Sequence, residues 1–189
     1  MTEFDLGSAV LTLARSAIAE KLGLGTLDAV SHARLEELCA TFVTLTQAGG
    51  LRGCVGSLQA VRTLRDDVRA NAIAAAFRDP RFAPLEVGEL ATTSLEVSLL
   101  SPEELITAAS ESELLAQLRP GVDGVILEFG RHRATLLPQV WERVSDPREF
   151  LAALRLKARL PEGFWSSGML ISRYEVVTWK EQEPAHGPQ

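Results

Sequence analysis

The run Phe42-Val-Thr-Leu-Thr46, then Ala48-Gly49-Gly50, then Leu51-Arg-Gly-Cys-Val-Gly-Ser57, constrains the fold more than any other stretch. β-Branched and aromatic residues favour a pleated strand, and paired glycines supply the turn, so the segment reads as a hairpin. A second hairpin reads over Gly124–Phe129 and Arg131–Leu137, turning near Gly130. Leu95, Val97 and Leu99 alternate with Ser94, Glu96 and Ser98, the pattern of a half-buried strand, and Leu170–Trp179 reads as a final strand. Helical spacing appears over residues 4–23, where Leu6, Val10, Leu13, Ala14, Ala17 and Ile18 share a face, and over 63–78 through Leu64, Val68, Ala72, Ala75 and Ala76. Thr63 is placed to cap the second of these, with Asp66 and Asp67 in its first turn. Glu111–Leu118 and Pro147–Leu156 complete the helices, the latter behind a cap at Ser145 or Asp146. Thr26–Ala40 reads as a loop with a short helix near Ala33–Cys39. Hairpins demand antiparallel neighbours. The expected class is therefore α+β, a mixed and largely antiparallel sheet with flanking helices, and not a doubly wound parallel sheet. One domain over residues 4–180 is expected, with a polar, disordered tail at 181–189.

Composition removes several classes of function. A formal net charge of -6 argues against a dedicated nucleic-acid binder, which must neutralise phosphates; the arginines Arg62, Arg65 and Arg69 read instead as a solvated helix face, diluted by Asp66 and Asp67. Two cysteines, Cys39 and Cys54, are too few for a disulfide framework. The start lacks a basic segment followed by a long apolar run, and no stretch of about 18 apolar residues occurs, so a cytoplasmic protein with reduced thiols and no membrane span is expected. His32, His132 and His186 form no ligand-spaced pair with Cys or Asp, so no metal site is expected. No phosphate loop, dinucleotide fingerprint or serine nucleophile elbow is present.

The strongest chemical candidate is Leu51–Gly56. In an extended strand Arg52 and Cys54 would share a face, and a guanidinium beside a thiol favours the nucleophilic thiolate. Gly53 and Gly56 would leave room for a ligand beside the sulfur, or would merely permit tight packing around a buried cysteine. Asn71 and the following Phe77-Arg78-Asp79-Pro80-Arg81-Phe82 place an amide, a carboxylate and guanidiniums at the end of an alanine-rich helix. Arg81 suits an anionic ligand; equally, Asp79 and Arg81 could form an ion pair at a helix stop. Glu96, mid-strand, could serve as a base or pair with Arg52.

These residues also carry a family resemblance. Phe42–Gln47 and Leu51-Arg-Gly-Cys-Val-Gly-Ser57, Asn71-Ala-Ile-Ala-Ala-Ala-Phe-Arg-Asp-Pro-Arg-Phe82, Leu95–Pro102, Leu118–Gly124 and Ala134–Trp141 together resemble the AMMECR domain family, also called AmmeMemoRadiSam system protein A. The resemblance spans roughly residues 8–179. Arg52, Gly53, Cys54, Gly56, Asn71, Asp79 and Arg81 match its signature; Val55 stands where isoleucine is usual, a conservative departure. The resemblance implies a larger and a smaller α+β subdomain with the signature strand beside a cleft, and partnership with a Memo-like protein and a radical-SAM protein. It carries no assigned reaction. The expectation is a small anionic ligand bound beside Leu51–Gly56 by Arg52, Gly53, Gly56, Asn71, Asp79 and Arg81. Cys54 and Glu96 would be the reacting groups. The alternative is a non-catalytic accessory role.

Overall fold

The computed structural model describes residues 5–25 and 30–182. They fall in two compact units, one within Met1–Leu100 and Val177–Gln189 and one of Ser101–Val176. The class is α+β, as the interleaved hairpins and helices require.

The first unit begins with helix α1, Leu6–Lys21, capped by Asp5, whose side chain accepts from the Ser8 N–H. A 3-10 turn over Ala33–Glu36 leads into strand β1, Leu38–Gln47. That strand is longer than the sequence pattern suggests, because Leu38–Thr41 continue it past the β-branched run. Residues 26–29 of the anticipated loop lie outside the described residues. The hairpin returns through β2, Gly50–Gly56, and a two-residue strand β3, Arg62–Thr63, pairs antiparallel with the start of β1. Helix α2, Leu64–Phe77, is capped by Thr63, whose side chain accepts from the Asp66 N–H, as the sequence implies. Strand β4, Thr93–Leu100, lies antiparallel to β1 on the side away from β2.

The second unit holds β5, Glu104–Ile106; α3, Glu111–Gln117; β6, Gly124–Phe129; β7, His132–Leu136; α4, Pro147–Lys157; and β8, Leu170–Tyr174. Its sheet runs β5-β8-β6-β7, with antiparallel pairings throughout. Its core gathers Val125, Leu127, Ile171, Leu151 and Leu154 around Trp141 and Phe150, whose rings stack 3.8 Å apart and nearly parallel. A cavity of about 300 Å³ beside Ala152, Ala153, Arg155, Leu156 and Leu160 contains none of the anticipated site residues.

Leu170–Trp179, expected as one strand, is two. β8 ends at Tyr174 in the second sheet, and β9, Val176–Lys180, joins the first sheet beside β4. Two aromatic anchors on opposite sides of Glu175, buried Tyr174 and half-buried Trp179, set the break. The Tyr174 ring lies over Gly124 and its hydroxyl meets Thr135, while the Trp179 ring lies over Gly7 of α1. The strands accordingly fall in two sheets. The first has the order β2-β1-β4-β9, with β3 appended to β1. Glu181, assigned to the tail by sequence, continues this unit: its N–H donates to the Leu95 carbonyl and its carboxylate holds Arg15. Residues 183–189 of that tail lie outside the described residues.

Alternation divides the first sheet into two faces. Val43, Leu45, Leu95 and Val97 enter a core with Ala14, Ile18, Val68, Ala72 and Ala75 from α1 and α2. Phe42, Thr44, Thr46, Cys54, Glu96 and Ser98 occupy the other face.

Candidate functional site

Cys54 sits in β2 directly opposite Thr44, and Thr44 sits directly opposite Glu96 of β4. The three side chains therefore form one row across three adjacent strands, on the sheet face away from the helices. Strand spacing sets the Cys54 and Glu96 backbones on the order of 10 Å apart, so Glu96 does not touch the sulfur. Thr44 lies between them and its hydroxyl donates to Cys54 Sγ at 3.3 Å. The Cys54 side is half-buried, whereas Cys39 is buried and burial pushes its thiol pKa up, with Glu37 adding to the effect. Sequence reasoning missed Thr44. Its signal was the hairpin register, which cannot be assigned before the turn and any bulge are known.

A bulge also redirects Arg52. The register runs Leu45 against Gly53 and then Thr46 against Leu51, leaving Arg52 as the extra residue. Its guanidinium turns to Glu89, in the 3-10 turn Val87–Thr92, with Nε and Nη2 bonded to the two carboxylate oxygens at 2.9 and 3.0 Å. Glu89 also takes the Gln47 amide and the Glu86 N–H. The Arg52 guanidinium, followed by the Glu86 N–H, draws its pKa down to about 2, and Glu89 in turn raises that of Arg52. The anticipated sharing of one face by Arg52 and Cys54 therefore fails. One inserted residue reverses the alternation, and Arg52 is spent on an ion pair.

Asp79 and Arg81 do reach Cys54, through its backbone. Asp79 Oδ2 accepts the Cys54 N–H at 2.9 Å, and Arg81 Nη2 donates to the Cys54 carbonyl at 3.3 Å. The two side chains pair with each other through Nε to Oδ1 at 2.9 Å and Nη2 to Oδ2 at 2.6 Å. Arg81 and then the Cys54 N–H hold the Asp79 carboxyl well below the usual carboxylate range. Arg81 is held further toward its protonated form by its hydrogen bond to Asp79. The Asp79 side chain is 3% exposed and that of Arg81 54%, so the guanidinium is the half of this pair open to a ligand.

The remaining predicted residues serve packing. A Cβ on Gly53 would stand 2.2 Å from the Ala75 carbonyl oxygen, so this glycine lets α2 lie against β2. A Cβ on Gly56 would meet the Phe42 ring at 2.3 Å. Both glycines make room for protein groups, not for a ligand. Asn71 is buried in α2, and its amide donates to the Thr41 carbonyl, the Ser57 hydroxyl and Asp67 Oδ2. Asp67, fully buried, is the hub of that network. It accepts from the Thr41 N–H and hydroxyl, from Ser57 and from Arg62, so it ties the start of α2 to the hairpin. Among the described residues, no group of three or more His, Cys, Asp or Glu is arranged to hold a metal ion, and no helix is long and apolar enough to cross a membrane.

Comparison with known proteins agrees with this architecture. The family model AMMECR1 matches residues 11–179. Protein MJ0810 of Methanocaldococcus jannaschii is 42% identical over 136 residues, covering 71% of this chain and 68% of that protein. Protein SSO0193 of Saccharolobus solfataricus is 36% identical over 189 residues, covering 95% of this chain and 83% of that protein. The crystal structure of the uncharacterized protein PH0010 from Pyrococcus horikoshii superposes with a TM-score of 0.82 at 33% identity, covering 96% of this chain and 94% of that one.

Proposed function

The chain belongs to the AMMECR1 family, and from that premise we propose that the Cys54 end of the polar sheet face is a small-ligand site whose contacting group is the Cys54 thiol. One observation carries the reading: a half-buried sulfur on the face away from the helix core, hydrogen-bonded by Thr44, beside an exposed guanidinium fixed to its own backbone. Arg81 is the anion-recognising group. Its Nε and Nη2 are committed to Asp79 and Cys54, and Nη1 is the nitrogen left for a carboxylate or phosphate. Arg52 has no part, because Glu89 neutralises it. Glu96 reaches only a ligand long enough to pass over Thr44, at which distance it would receive a proton or hold a cationic end. Whether the ligand reacts is decided by the thiol, since a thiolate is the nucleophile and a thiol is not.

The test is the rate of iodoacetamide alkylation, read by mass spectrometry at each cysteine, with buried Cys39 as the internal reference. Cys54 should react at least about tenfold faster, and inorganic phosphate should slow it in the natural protein but not in Arg81→Ala. Equal rates at the two cysteines would remove the site. The accessory reading, with Memo-like and radical-SAM partners, is supported by the family resemblance alone. Retention of either partner by the tagged protein would argue for it.

A further inference from the structure

Strand β2 ends its sheet, and an edge strand presents free N–H and C=O groups to any other strand that approaches. Natural edges are commonly protected by lysine, proline or an outward charge. Gly50–Gly56 has neither lysine nor proline, and its one charged residue, Arg52, is withdrawn to Glu89. Glycine-rich strands are also the ones whose register is weakly specified, which makes mispairing easier. The edge nevertheless does not stand open at its middle. Cys54 faces Thr44 in the register, yet its N–H goes to Asp79 and its C=O receives Arg81, so both groups point away from β1. An acceptor at 2.9 Å and a donor at 3.3 Å, held together by their own ion pair, occupy the places that the C=O and N–H of a neighbouring strand would take.

We propose that Asp79 and Arg81 are an edge guard: a side-chain imitation of a peptide unit that blocks pairing of β2 with the β2 of a second copy of this chain. The guard shares Arg81 with the ligand reading but concerns the backbone of Cys54 and not its sulfur, so sedimentation tests the guard while alkylation tests the ligand site. It also accounts for a carboxylate and guanidinium directly after α2 with Pro80 between them. Proline stops the helix, and the chain then turns so that both side chains reach back to the strand.

The experiment is concentration-dependent sedimentation of the natural protein, Asp79→Ala, Asp79→Asn and Arg81→Ala, with amide exchange of the Cys54 N–H followed in parallel. Asp79→Ala should raise the self-association constant at least tenfold and expose the Cys54 amide to exchange in the monomer. Asp79→Asn keeps one acceptor oxygen for the Cys54 N–H but loses the charge that holds Arg81, so it should fall between the natural protein and Asp79→Ala. If Asp79→Ala does not fold, Arg81→Ala decides, because it strips the donor from the Cys54 carbonyl and leaves Asp79 in place; it should associate more strongly than the natural protein. A folded Asp79→Ala, or failing that a folded Arg81→Ala, whose association matches the natural protein overturns the guard. Association that rises equally in Asp79→Asn overturns it too, since charge alone would then be the cause.

Discussion

Replacing Gly53 by alanine tests a close approach of helix to sheet in the first unit. The added Cβ would lie 2.2 Å from the Ala75 carbonyl oxygen and 3.1 Å from its carbonyl carbon. Ordinary contact needs roughly 3.4 Å, so α2 must withdraw by about 1 Å or β2 must bend by as much. Neither is free to move. Ala75 is buried, and the same helix places Leu64, Val68, Ala72 and Ala76 in the core, while the neighbouring Cys54 N–H is held by Asp79. Overpacking of this kind costs about 1–3 kcal/mol. The backbone entropy saved by removing a glycine offsets roughly 0.4–1 kcal/mol of that. The net expectation is a loss of about 1–2 kcal/mol, which for a chain of this size lowers the melting temperature by roughly 2–8 °C. Thermal unfolding followed by circular dichroism reads it. Gly88→Ala is the control, because a Cβ there has open space around it. A Gly53→Ala protein that melts at or above the natural one would refute the claim that this glycine exists for helix approach.

Two other substitutions separate packing from electrostatics. Asp67→Ala removes a fully buried carboxylate shared by Thr41, Ser57, Asn71 and Arg62, and should destabilise by about 3–5 kcal/mol in urea unfolding; a loss below about 1 kcal/mol would show that the network is not a structural hub. Glu89→Gln should cost stability near neutral pH, where the folded carboxylate, drawn from an ordinary 4.5 to about 2 by Arg52, is charged and paired. A depressed folded pKa contributes stability above the unfolded value and loses it as pH falls through the folded one. The gap in melting temperature between natural and variant proteins should therefore be full above about pH 5 and close between about pH 4.5 and 2. A gap independent of pH would assign the effect to packing.

Much of the architecture was legible from local pattern. Thr63 offers a hydroxyl oxygen to the Asp66 N–H in the first turn, and it caps α2. Pro80 marked the end of that helix, and the two hairpins followed from glycine turns between β-branched runs. The site was legible only in part. Cys54 and Arg81 were singled out, and the structure brings them together, but through a carbonyl that no side-chain pattern reveals. Glu89 and Thr44 were invisible because nothing in their own neighbourhoods is unusual. Glu89 matters through a residue 37 positions away, and Thr44 through a register one bulge can shift.

Taken alone, the order of residues determined the class of fold and the helix termini, because periodicity, capping and turn chemistry act over a few neighbours; the family was carried by the resemblance of its motifs. Tertiary structure decided that Leu170–Trp179 divides between two sheets, that Arg52 serves Glu89 and not Cys54, and that Gly53 and Gly56 admit a helix and an aromatic ring. Each of those outcomes depends on which distant surfaces meet. A single inserted residue, or one aromatic anchor, then sets which way every following side chain points.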